Sequence, residues 1–125
     1  MLADKNVIAT IAVKDFAAAR KFYEGTLGLQ LAGTKEGGGA SYKSGDSIVL
    51  VYQSQYAGTN KATAATWVVG NEVEDIVGAL KAKGVAFEHY DLPGTTRKGD
   101  LHFAGNIKLA WFKDPDGNIL ALASQ

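Results

Sequence analysis

The 125-residue chain contains no cysteine, only two prolines, two histidines and one methionine. Without cysteine there is no disulfide framework, no thiolate metal site and no sulfur nucleophile, a pattern that fits a reducing compartment. Neither sign of charge dominates. Thirteen Lys and Arg stand against thirteen Asp and Glu, so the chain has no electrostatic footprint for nucleic acid or an anionic membrane. Long apolar runs are also missing. Nothing approaches the roughly 20 residues of a membrane span, and residues 1–15 hold too short an apolar run for a signal peptide. What remains is 46% hydrophobic and 21% charged, which is ordinary globular composition and excludes disorder as the main state. A soluble, cytoplasmic α+β domain is expected, long enough to bury a core without staples.

Residues 6–13 alternate with period 2, with Val7, Ala9, Ile11 and Val13 on one face and Ile8, Thr10 and Ala12 on the other; this predicts a strand. Asp15 sits where a helix N-cap belongs. Phe16, Ala19, Phe22, Tyr23 and Leu27 follow at helical spacing, and Gly28 closes the element. Strands are expected at 29–34, 40–43 and 47–53, with Gly37-Gly38-Gly39 and Ser44-Gly45-Asp46 as turns. The same order then recurs: a strand at 64–69, a helix capped by Asn71 or Glu72 and closed by Gly84, and strands at 85–90, 107–112 and 119–123. An offset of 56 lays Val13 on Val69, Asp15 on Asn71, Gly28 on Gly84 and Leu31 on Phe87. The chain therefore reads as a duplicated βαβββ module, 1–58 and 59–125. The second copy is longer, and its excess falls in Leu92 to Asn106. This polar, glycine-containing stretch is expected to be a mobile flap, with a short strand at 101–103 or a plain surface loop as the alternatives.

Two stretches carry a resemblance. Val-Lys-Asp-Phe-(x)5-Phe-Tyr-(x)3-Leu-Gly-Leu over 13–29 is similar to the opening of vicinal oxygen chelate proteins, and Trp-Phe-Lys-Asp-Pro-Asp-Gly-Asn over 111–118 to their last hairpin. That superfamily includes glyoxalase I, bleomycin and fosfomycin resistance proteins and extradiol dioxygenases. The resemblance implies two βαβββ modules building a curved mixed sheet around a cleft. It also implies a divalent metal held by one residue from the first and one from the last strand of each module. Here those positions fall at Ile8, at Leu50 or, with a two-residue slip, Tyr52, at Ala65 and at Ala121. None offers the oxygen or imidazole that such cations need. The expectation is the fold without the metal site and with no cofactor. Strand alternation then lines the cleft with Ile8, Thr10, Ala12, Leu50, Tyr52, Ala65, Trp67, Val69, Ile119, Ala121 and Ala123. Such an apolar, aromatic-walled surface suits a small, flat molecule.

Other residues were weighed for chemistry. His102, two positions after Asp100, is a candidate cleft-facing acid, base or ligand contact, and Tyr52 a candidate acid–base group; His89 reads as a half-exposed strand histidine. Asp114, Asp116 and Asn118 copy the start of a calcium loop, but Ile119 occupies the position that needs glycine, so a turn is expected. The glycine run lacks a P-loop lysine, and no serine has a nucleophile-elbow setting. Tyr56, Asn60 and Lys61, in the linker, are candidates to overhang the cleft with polar contacts. The face occupied by Trp111 stays open. Three functions follow: a binding or sequestering protein like the bleomycin resistance members, an enzyme acting without the metal, or a dimerisation module with a filled cleft. The first is preferred, as a homodimer with a small-molecule ligand. The cleft positions on the strands carry no titratable group except Tyr52, and acid–base catalysis works best with a pKa near the operating pH.

Overall fold

The computed structural model describes all 125 residues. It divides into two compact units, Met1–Ala57 and Gly58–Gln125. Each holds one open mixed sheet and one helical segment, so the chain is α+β.

The first unit runs β1 (Ala9–Val13), α1 (Phe16–Arg20), β2 (Gln30–Lys35), β3 (Gly39–Ser44) and β4 (Ser47–Gln53). The sheet order is β1-β4-β3-β2, with β1 parallel to β4 and the other pairs antiparallel. Asp15 caps α1, its carboxylate accepting the Ala18 N–H at 3.0 Å. The helix does not stay α to its end. Residues 21–26 widen into a π turn, with the Leu27 N–H bonded to the Phe22 carbonyl. Gly28, at φ 73°, then turns the chain into β2. Tyr23 and Phe22 from this turn pack edge to face at 5.2 Å, and Tyr23 stacks on Tyr42. The core under the helix is Ile11, Val13, Tyr23, Ala40, Tyr42 and Val51, all essentially without solvent exposure. Tyr42 donates to Glu24 at 2.8 Å, and Glu24 accepts from Arg20 at 2.7 Å. Burial, reinforced by Glu24, pushes the Tyr42 phenol up to about 12.

The second unit runs β5 (Thr63–Val68), α2 (Val73–Ala82), β6 (Phe87–Glu88), β7 (Thr96–Lys98), β8 (Leu101–Ala104), β9 (Ile107–Lys113) and β10 (Ile119–Ala123). The order is β5-β10-β9-β8-β7, with β6 also on β9. The expected side-chain cap of α2 is absent. A 3-10 turn over Gly70–Glu72 leads into it, and Glu72 makes no capping bond. Its other end is a Schellman motif: Gly84 N–H bonds to the Lys81 carbonyl and Val85 N–H to the Leu80 carbonyl, with Gly84 at φ 90°. Val73, Val77 and Leu80 are buried against the face of β9 and β10 that carries Ala110, Phe112 and Leu120. An ion pair between Lys108 and Glu74 places α2 on that face.

The extra length of the second unit interrupts one strand. β6 pairs with β9 at Phe87–Phe112 and Glu88–Trp111, and β8 resumes the pairing at His102–Leu109. Between them the chain leaves the sheet and returns through the β7–β8 hairpin. The expected flap is thereby corrected over residues 96–104. His102 is wholly buried, and Asp100 is tied to Lys81 at 2.6 Å and His89 at 2.8 Å. The segment has more to bury than its polar composition suggests. The turn at 114–118 is built around a buried Asp114, which accepts the N–H groups of Asp116 and Asn118 and the Asn118 side-chain amide.

Candidate functional site

In each sheet, register assigns every side chain to the helix-bearing face or to the open one. In the first unit, Thr10 lies beside Leu50 and Ala12 beside Tyr52. These four share the open face, opposite Ile11, Val13, Val49 and Val51. Tyr52 is 41% exposed, and Ile8, just before β1, is 49% exposed. The expected trio Thr10, Leu50 and Tyr52 is thus brought together.

In the second unit the expected set splits. Ala121 pairs with Trp111 on one side and with Thr66 on the other. Ala65 and Trp67 pair with Leu120 and Leu122, whose side chains point to the face that carries α2. The expectation that Ala65 and Trp67 share a face with Ala121 is therefore corrected; Thr66 and Val68 occupy those places. The cause is a register shift beside Ile119 in β10, which moves the pairing of β5 by one residue. A one-residue slip exchanges the two faces of a strand.

The open face of this unit carries Trp111, Ile119 and Ala121 as a buried cluster, with Tyr90 and Leu109 packed against it. Trp111 and Phe112 are therefore resolved: Trp111 faces away from the helix, and Phe112 toward it. The Trp111 indole N–H donates to the Thr63 hydroxyl at 3.1 Å, which fixes its ring plane. Tyr90 meets Trp111 edge to face at 5.4 Å, and His102 does so at 4.8 Å. Strand alternation by itself singles out neither Tyr90 nor Trp111 for the ligand. The alternation through β9 contained the signal for Trp111, but only the cross-strand partners fix its phase.

Two concavities open beside this cluster. One, of about 310 Å³, is lined by Lys61, Thr63, Tyr90, Leu92, Trp111 and Ile119, among others. The other, of about 330 Å³, shares Tyr90 and Leu92 and continues to Thr95 and Arg97. Lys61 is placed there by the linker, where Asn60 accepts the Ala62 N–H at 3.1 Å and so turns the chain into β5. Asn60 shapes the loop, while its neighbour lines the wall.

His102 lines neither concavity. Its Nε2 accepts the Tyr90 backbone N–H at 3.0 Å, which leaves the proton of the neutral ring on the buried Nδ1. Burial first, then the charges of His89 and Arg97, holds its pKa below the ordinary histidine value. It holds Tyr90 in place from the sheet side. Asp100 is held below the usual carboxylate range by its bonds to Lys81 and His89. Burial and the Glu88 charge raise the Tyr90 phenol, whose buried hydroxyl has no partner.

The positions at which the superfamily holds its metal carry other chemistry here. Ile8, Leu50, Ala65 and Ala121 supply alkyl groups, Tyr52 a phenol, and the corrected β5 position a threonine hydroxyl. No group of three or more His, Asp or Glu side chains is placed to share an ion. These residues do not fit a divalent metal of the kind the superfamily holds.

Paired open sheets with this strand order define the vicinal oxygen chelate class of fold. Residues 6–122 match the Glyoxalase/Bleomycin resistance protein/Dioxygenase superfamily, and the chain belongs to it. No curated protein matches the chain. Among solved structures it is similar to an integron cassette protein from the mobile metagenome of Halifax Harbour sewage outfall, at 17% identity and TM-score 0.73, over 97% of this chain and 99% of that one. It is similar to a fosfomycin resistance protein, FosX, from Listeria monocytogenes at 13% identity and TM-score 0.72, over 96% and 92%. A lactoylglutathione lyase from Agrobacterium tumefaciens gives 17% and 0.71 over the same shares. At these identities the likeness establishes the fold and leaves the chemistry open. No helix is long and apolar enough to cross a membrane.

Proposed function

We propose that the protein binds a small, flat, largely apolar molecule without a metal, in the manner of the superfamily's resistance-type binding members. The observation that carries this reading is the 310 Å³ concavity walled by Trp111 and Tyr90. Its size lies at the lower end of ligand pockets, and its walls are aromatic and aliphatic. Catalysis without a metal is the weaker reading, because the one buried histidine does not line the concavity. We place the protein in the cytoplasm, as a homodimer. Dimerisation would cover edges such as β2, all six residues of which are exposed.

The test is fluorescence. In a Trp67→Phe protein, Trp111 is the sole indole, and a panel of one- and two-ring aromatic molecules should quench or shift its emission saturably. A panel that leaves Trp111 unmoved, while elemental analysis finds about one divalent ion per chain, would overturn both halves of the proposal. Sedimentation as a monomer at high protein concentration would remove the dimer alone.

A further inference from the structure

The polar groups around the 310 Å³ concavity are of one kind. Lys61 contributes an exposed ammonium group with no ion pair. The Thr63 hydroxyl already accepts from the Trp111 indole, so its own proton is left to donate. Tyr90 contributes a phenol whose oxygen is buried and without any partner. At ordinary pH this phenol keeps its proton, since burial and Glu88 raise its pKa. No carboxylate lines the concavity. Glu88 shares its face but is paired with Lys113. A guest with an acceptor head meets the Lys61 and Thr63 donors, and a negatively charged head also answers the lone ammonium.

We infer that the ligand is a small planar organic anion, one or two fused rings bearing a carboxylate, with the ring against Trp111, Tyr90 and Leu92 and the head toward Lys61 and Thr63. This rests on the reading that the concavity is the binding site, and it adds the charge of the ligand. A carboxylate suits the site better than a bulkier phosphate, because the volume is small and only one cation is present.

The experiment compares 2-naphthoate with its neutral isostere 2-naphthamide, both titrated into the Trp67→Phe protein by Trp111 fluorescence. The acid should bind at least about tenfold tighter, the scale of one charge-assisted hydrogen bond. Lys61→Met should erase most of that preference while leaving the amide's affinity within about twofold. Lys35→Met, an exposed lysine of the first unit, should change neither. Raising salt should weaken the acid and not the amide. Equal affinities for acid and amide, or a preference that survives Lys61→Met, would overturn the anion inference and leave the binding reading standing. If neither compound binds, both fall.

Discussion

The open face of the first sheet carries Thr10, Ala12, Leu50 and Tyr52, and Tyr52 is 41% exposed. The open face of the second carries Trp111, Ile119 and Ala121, each below a tenth exposed, with Tyr90 and His102 against them. The two units follow one plan, yet one face stays largely exposed while the other carries a buried aromatic cluster beside its concavities. The difference traces to the interrupted strand. In the first unit a single strand, β2, lies along β3, with one bulge between Leu31 and Gly33. In the second the same flank of β9 is shared between β6 and β8, and the excursion between them brings Tyr90 and His102 onto Trp111. The longer second unit carries its aromatic surface where that strand is interrupted.

The comparison breaks most sharply under paired truncations. Trp111→Ala should destabilise the protein by about 3–5 kcal/mol, since it empties a buried cluster. Tyr52→Ala, on the exposed open face of the first sheet, should stay within about 0.5 kcal/mol. Chemical denaturation of both variants is the check. Similar losses would mean that the first face is also covered in solution. The two last hairpins offer a second pair. Asp114→Ala strands three donors around a buried turn and should cost about 2–3 kcal/mol. Asp46→Ala, in the exposed β3–β4 turn, should be near neutral. If Asp46→Ala proved as costly, the short turn would hold more of the first unit than its contacts show.

Acid should also separate the halves, because both histidines lie in the second unit. The folded pKa of His102 lies below its unfolded value of 6.5. Above 6.5 both states are neutral there. As pH falls through 6.5 the unfolded chain takes the proton first, so stability declines until the folded pKa is passed, then levels. Glu24 of the first unit is lowered from 4.5, so its stabilisation is present above 4.5 and is lost only at lower pH. Hydrogen exchange corrected for the intrinsic rate should therefore show a rise in opening around β6 and β8 from pH 6.5 to 4.5, and none in β3 and β4. His102→Gln, which keeps an acceptor for the Tyr90 N–H, should abolish that rise. A rise of equal size in both units would place the acid-sensitive group elsewhere.

Much of the fold was legible because it depends on local chemistry. The Asp15 cap, the closing glycines 28 and 84 and the turn at 114–118 are written in short spacings, and the structure forms each of them. The open face of β1 and β4 was legible for the same reason: period-2 alternation carries through without a bulge. The second unit's site was not. Alternation gives two faces for β5 but not which one meets β10, and a register shift beside Ile119 decided it against Ala65 and Trp67. Tyr90 and Trp111 meet only because β6 and β9 pair across more than twenty residues, a relation that no local pattern encodes.

The helix starts give the smallest contrast. Asp15 accepts the Ala18 N–H at 3.0 Å, satisfying one of the orphan donors of α1. Glu72, at the matching end of α2, makes no side-chain cap bond and follows a 3-10 turn instead. Asp15→Ala should cost about 1 kcal/mol. Glu72→Ala should cost at most about 0.5 kcal/mol, because only the attraction between its charge and the helix N-terminus is lost. That residual attraction is screened by salt, whereas the loss at Asp15 comes mainly from a hydrogen bond and should change less as salt is raised. Denaturant melts of both variants at low and high ionic strength separate the two causes. If Glu72→Ala were the costlier change at high salt, Glu72 would be capping α2 in solution, and the difference between the two helix starts would disappear.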